Sequence, residues 1–179
     1  MGVRIEALTV VEAREALPAL SALLRDVVDG GASVGFLPPL TASTAAEYWG
    51  TVVAAIADGS RVLLVARRAE DGAIVGTAQL DLSTRENGRH RAEVAKVMVP
   101  GAAQRQGIGR ALMLAAEEHS RRLGRTTLVL DTRSGDPSER LYASLGWQRA
   151  GEIPRYAQSA GGRLDASAFY YKLLLTPGG

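Results

Sequence analysis

The chain contains no cysteine, which excludes disulfides, thiol nucleophiles and cysteine-based zinc sites together. Histidine is scarce as well: His90 and His119 stand far apart without ligand-like spacing and read as surface residues, so no metal site is expected. Lysine is limited to Lys96 and Lys172, so the 21 basic residues are nearly all arginine, balanced by 19 acidic ones to a net charge of +2. No run of five like charges occurs, and no nucleic-acid partner is expected. No apolar run reaches the roughly 18 residues of a membrane span, and MGVRIEALTV lacks the basic-then-apolar pattern of a secretory leader. No membrane partner and a cytoplasmic location are therefore expected. With 46% hydrophobic and 22% charged residues over 179 positions, one globular domain covering residues 1–179 is expected.

What is present alternates between strand and helix patterns. Val3 to Leu8 reads as a strand, and Thr9 with Glu12 as a capping box opening a helix that Pro18 interrupts or restarts before Gly30-Gly31. Residues 31–40 form a loop too apolar for plain solvent exposure: either it tucks onto the core, or it walls a pocket. Thr44 with Glu47 suggests a second capping box ahead of a helix through Ile56. Arg61–Arg67 and Ala73–Leu82 pair about a turn at Glu70-Asp71-Gly72, and Arg91–Val99 makes a fourth strand. A helix follows Gly109, with Glu117/Arg121 and Glu118/Arg122 reading as a solvated face. Thr126–Asp131 is a central strand, a short helix runs to Gly146, and Gln148–Ile153 and Ala168–Leu175 are the last strands. The class is α/β with a mixed sheet.

The glycine-bearing turn Gln104-x-x-Gly107-x-Gly109, flanked by Arg105 and Arg110, opens the long helix. A helix start offers unpaired N–H groups and a positive dipole end, and glycines admit a diphosphate to the backbone. A Walker A loop fails, because Gly107 is followed by Ile108 rather than Lys. A dinucleotide fingerprint fits poorly: the third glycine position is Leu112, and seven residues, Pro100 to Gln106, separate strand from glycine.

A third pattern uses more of the residues at once. The strand with Pro100, the turn Gln104 to Leu112, the next strand, and Leu141-Tyr142-x-x-x-Gly146-Trp147 together resemble the GCN5-related N-acetyltransferases. The resemblance spans Val3 to Leu175. It implies a mixed, mostly antiparallel sheet of six to seven strands, splayed between strands four and five and flanked by about four helices. It implies acetyl-CoA as co-substrate and no metal. Val97, Met98 and Val99 would meet the pantetheine arm, and Gln104, Arg105, Gln106, Gly107, Ile108, Gly109 and Arg110 the diphosphate. Where the family often carries asparagine, this chain has Gly135, and Asp136 or Ser138 would substitute. GGASVGFLPPL, EVAKVMV, QRQGIGRALM, VLDTRSGD, ERLY and GWQRAGEIPRYA look most like the tabtoxin-resistance acetyltransferases, which act on a small amino-acid-like β-lactam toxin. The acceptor implied is the amine of such a small molecule, and the resemblance also allows a homodimer.

Acetylation of an alkylammonium of pKa about 10 needs a base. Glu93 is the first candidate and Asp131 the second; the plain alternatives are a solvent-facing carboxylate and a hydrogen-bond anchor. Tyr142 matches the position beside the cofactor sulfur and would protonate the departing thiolate, or it is a packed aromatic. The acceptor pocket would draw on Val34 and Phe36 of the 31–40 loop, Tyr48 and Trp49 of the second helix, and Tyr156 of a 154–165 loop. An acyl-CoA-binding sensor without turnover would share the cofactor residues; Glu93, Asp131 and Tyr142 together favour the enzyme.

Overall fold

The computed structural model describes residues 2–174. Strand β1 (Val3–Ala7) leads to Thr9, whose hydroxyl accepts the Glu12 N–H while its own N–H is donated to the Glu12 carboxylate at 2.8 Å. This reciprocal box starts α1 (Val10–Glu15). Pro18 lies in the first turn of a separate helix, α2 (Leu17–Asp29), where its missing N–H has no partner to lose. The expected interrupted helix is thus two helices, and five are present among the described residues. Helix α3 (Ala42–Ala57) begins earlier than Thr44/Glu47 suggested. Thr41 is the cap, accepting the Thr44 N–H at 3.1 Å, and Glu47 reaches only the Ser43 hydroxyl at 3.5 Å.

Strands β2 (Arg61–Arg68), β3 (Ile74–Leu82), β4 (Arg91–Met98), β5 (Thr127–Arg133), β6 (Gln148–Gln158) and β7 (Leu164–Leu173) complete a seven-stranded sheet ordered β1-β2-β3-β4-β5-β7-β6. Only β4 and β5 run parallel. The last hairpin is longer than expected, because Pro154 does not end β6. The register passes from Ile153↔Ser167 to Ala157↔Asp165 over a bulge in which Arg155 has φ 55. The segment 154–165 is therefore mostly strand, with a tip at residues 159–163. Leu175, expected to end β7, lies outside the described residues.

Helices α4 (Ile108–Arg122) and α5 (Ser138–Ser144) cover one face of the sheet, packing Ile108, Leu112, Met113, Tyr142 and Trp147 onto Leu80, Val94, Leu128 and Leu130. Helices α1 to α3 cover the other, packing Leu20, Leu24, Trp49 and Val52 onto Leu63, Val65 and Met98. Gly76 makes the first packing tight: a Cβ there would stand 3.0 Å from Ile108 Cγ2 and 3.1 Å from Leu112 Cδ1.

Glu117 corrects the expected solvated face of α4. It is 2% exposed and accepts both Lys172 Nζ, at 2.7 and 2.8 Å, and Trp147 Nε1, at 3.1 Å. Glu118 does pair with Arg122 on the exposed side, at 3.1 Å. The Glu117 cluster ties α4 to β7 and to the turn after α5, because Lys172 also donates to the Leu145 carbonyl at 2.5 Å. Glu117→Ala strands the largely buried Lys172 ammonium and should lower unfolding stability by about 3 kcal/mol, read by urea denaturation. An unchanged midpoint would mean that Leu145 and water suffice for Lys172.

Candidate active site

Strands β4 and β5 are bonded to each other only over Arg91↔Thr127, Ala92↔Leu128 and Glu93↔Val129. Beyond Glu93 they part, although β4 continues to Met98 and β5 to Arg133. The cause lies on the other edge of β4. The β3–β4 register steps from Gln79↔Ala95 to Thr77↔Met98, so Lys96 and Val97 oppose Ala78 alone. Lys96 takes φ 51, a left-handed conformation that costs a non-glycine residue about 1–2 kcal/mol. Buried Thr77 holds it, its hydroxyl donating to the Lys96 carbonyl at 3.1 Å. A bulge adds local twist, and the twist carries β4 away from β5. The result is a fork with unpaired strand edges.

The fork's floor is polar. Register sets Arg61, Asp81 and Glu93 side by side across β2, β3 and β4 on the face covered by α1 to α3. Glu93↔Val129 pairing puts Asp131 on that same face of β5. Arg61 Nη2 donates to Asp81 at 2.5 Å, Arg61 Nη1 to Gln79 at 3.2 Å, and Gln79 Nε2 to the Tyr48 hydroxyl at 3.0 Å. Partial burial, then the charges of Asp131 and Asp81, raise the Glu93 pKa above its usual 4.5 against the pull of Lys96 and Arg61. A carboxyl moved toward neutral pH is suited to general-base work.

At the head of the fork, Gly107 caps α4 with φ 79, and a Cβ there would meet nothing within 4 Å. The N–H groups of Arg105 to Arg110 make no hydrogen bond among the described residues, leaving a run of donors at the positive end of a 15-residue helix. Arg105 (φ 59) and Arg110 are exposed beside them. This set fits a diphosphate. Ile108 contributes only its backbone, its side chain being in the core. Gln104 and Gln106 turn their amides onto the loop itself, donating to the Val99 carbonyl at 3.0 Å and the Ala102 carbonyl at 3.3 Å. They shape the loop. Arg110 also donates to Ser144 at 3.2 Å, joining α4 to α5.

Tyr142 is 6% exposed, packed against Trp147 and Tyr170 with ring centroids 6.3 and 5.9 Å away. Burial pushes its phenol up to about 12, with Ser138 opposing and the charges of Asp136 and Asp131 adding to the rise. The charge of Asp131 is thus felt by both Glu93 and Tyr142. Ser138 and Thr132 share a hydroxyl hydrogen bond of 2.9 Å that fixes α5 to β5.

The proposed pocket aromatics divide. Trp49 is fully buried among the α1–α3 core and does not line the fork; α3 turns it inward with Ala45, Val52 and Val53. Tyr48, also expected there and about 100° round the helix, is only partly buried, with Phe36 edge-on at 5.2 Å. Val34 is partly buried on the same core. Tyr156 lies 5.3 Å edge-on to Phe169, the register partner of Asp131, and so stands at the rim. Arg133 donates to the Gly31 carbonyl at 3.3 Å and holds the 31–40 loop to β5. Sequence reasoning missed Lys96, whose ammonium lies 5.8 Å from the Tyr48 ring centre. No residue pattern announces a bulge.

Residues 32–147 match the sequence model of the acetyltransferase (GNAT) family. Over 110 residues the chain is 34% identical to an uncharacterized N-acetyltransferase of Azospirillum brasilense, covering 60% of this chain and 62% of that relative's length. A ribosomal-protein-alanine N-acetyltransferase from Brucella melitensis superposes with a TM-score of 0.76 at 26% identity, over 96% of this chain and 99% of that one. A phosphinothricin acetyltransferase from Sinorhizobium meliloti, solved with AcCoA, superposes at 0.77 and 21% identity, over 97% and 89%.

The raised Glu93 carboxyl binds its proton more tightly folded than unfolded, so it costs stability as pH rises from the usual 4.5 through its folded value. Glu93→Gln removes that cost. The variant should match the parent near pH 4 and exceed it at pH 7, in urea midpoints taken across that range. Equal midpoints at both ends would place Glu93 in ordinary solvent.

Proposed function

The chain belongs to the acetyltransferase (GNAT) family, and we propose that it transfers an acetyl group from acetyl-CoA to the amine of a small amino-acid-like molecule, a toxin or antibiotic, in a detoxifying role. The observation that carries this reading is the fork, with Glu93 and Asp131 on its floor and the free N–H run of α4 at its head. Acetyl-CoA supplies the activated thioester. The α4 N–H groups, Arg105 and Arg110 would hold its diphosphate, and the fork-side backbone of Val97, Met98 and Val99 its pantetheine arm.

The acceptor's ammonium meets Glu93 and Asp131, and Glu93 takes its proton directly or through water. One backbone N–H of Met98 or Val99 faces the thioester oxygen as charge develops there. Much of the rate comes from fixing amine and thioester in one crevice. Tyr142 has a narrower task than a full acid. From a phenol near 12 to a thiolate of pKa about 8.5, complete transfer runs uphill by roughly 5 kcal/mol. The phenol would keep its proton and donate a hydrogen bond to the departing sulfur, while the thiolate takes the second proton released by the acylated amine, directly or through water.

The test is incubation with acetyl-CoA and an amine panel, reading free thiol, beside calorimetry with CoA. Tight CoA binding without thiol release on any acceptor would favour a sensor domain instead. Tyr142→Phe should lower kcat about tenfold, the worth of one hydrogen bond, without moving the pH profile below pH 9. A shifted basic limb would restore the full proton transfer to Tyr142.

A further inference from the structure

The two lysines are in opposite situations. Lys172 is held by both Glu117 oxygens and the Leu145 carbonyl. Lys96, partly buried on the bulge, makes no ion pair and no hydrogen bond through Nζ among the described residues. Its ammonium lies against the Tyr48 ring at 5.8 Å and 3.5 Å from where a Cβ on Gly35 would stand. It therefore sits between α3 and the 31–40 loop, on the polar side of the sheet.

Three charged groups influence it, one from β2, one from its own strand and one from β5. Arg61 of β2 is already bonded to Asp81, while Glu93 of β4 and Asp131 of β5 belong to the fork. Burial lowers the Lys96 pKa, and the two carboxylates pull it back up. A cation withdrawn from water without a partner is unfavourable, and a bound anion would relieve it. The neighbouring wall is apolar or neutral: Phe36, Tyr48 and the backbone at Gly35. The arrangement offers two poles to one small molecule, acidic at the fork and basic at the bulge.

We propose that Lys96 anchors a carboxylate of the acceptor, so that the enzyme selects small primary amines bearing a free carboxylate, the ammonium at Glu93 and Asp131 and the carboxylate at Lys96. This rests on the acetyltransferase reading and adds the residue that sets its specificity. The αL conformation at Lys96 then has a second consequence: the same bulge that opens the fork turns the ammonium to the α3 side, against Tyr48 and the 31–40 loop.

Because the chain has two lysines, protein labelled with carbon-13 at the lysine ε position gives two resonances, with Lys172 as internal control. The CoA-loaded protein is titrated with the twenty standard amino acids, their carboxamides and their decarboxylated amines. At least one amino acid should move the Lys96 signal and raise its titration midpoint, while its carboxamide and amine do not. In the thiol-release assay that acid should be preferred over its carboxamide by about 10- to 100-fold in kcat/KM, mostly through KM. Lys96→Met should erase the preference and Lys96→Arg keep part of it, each variant being verified as folded by its CoA affinity. The proposal falls if no amino acid moves the Lys96 signal, or if Lys96→Met slows acid and carboxamide alike. Thiol release on amines without a carboxylate preference would sink the anchor and leave acetyl transfer standing. A Lys96 response with no thiol release would do the reverse.

Discussion

The hydrogen bond from the Thr77 hydroxyl to the Lys96 carbonyl holds one residue in an unfavourable backbone conformation, and the fork proposed as the active crevice depends on it. With a regular β4, its pairing with β5 would continue past Glu93, and both strand edges would be consumed by each other. The bulge ends that ladder at Glu93↔Val129. It leaves free N–H and C=O groups inside the molecule, where an extended polar ligand can use them. Thr77 is fully buried, so its hydroxyl has little water competing for it. Sheet and site are built by one irregularity.

The two faces of the sheet carry different tasks. On the α4 side the packing is close and apolar, and the Glu117–Lys172–Trp147 cluster locks the cofactor helix to β7 and to the turn behind Tyr142. Gly76 lets the first turn of α4 press onto β3, which sets the height of the free N–H groups above the fork. On the α3 side Arg61, Gln79 and Tyr48 form a chain of hydrogen bonds under the proposed acceptor space. Close apolar packing suits the side proposed to hold acetyl-CoA, and a hydrogen-bonded polar floor the side proposed to receive the amine.

Local chemistry was legible in the sequence, and contacts between distant residues were not. The Thr9/Glu12 box and the glycine at the head of α4 depend on residues three or fewer positions apart. The same logic misplaced the start of α3, because Thr41 and Thr44 both head plausible caps and only backbone geometry chooses between them. Glu117 does meet Arg121, at 3.7 Å, but it read as solvated because its closer partner, Lys172, is 55 residues away. Tyr48 and Trp49, both expected at the pocket, are adjacent in sequence, but only Trp49 is fully buried; Tyr48 is partly exposed and bonds Gln79. The 154–165 segment read as loop because Pro154 ordinarily stops a strand; at a bulge on an edge strand it does not. Lys96 was hidden for a related reason: its role follows from the register between β3 and β4, not from its neighbours.

The same two residue types, glutamate and lysine, appear in both halves of the molecule with opposite economy. Glu117 and Lys172 meet at 2.7 Å with every nearby donor engaged, and their charges cancel inside the core. Glu93 and Lys96 stand three positions apart on one strand and are not paired; each is displaced from its usual pKa by burial, upward for the acid and downward for the base. In a regular strand the odd spacing would put them on opposite faces. The bulge brings both to the same side, close enough to feel each other and too far apart to neutralise. A buried pair that is complete contributes to the fold alone. One kept apart stays unfavourable in the free protein, and that free energy is recovered when a ligand carrying both charges bridges the gap.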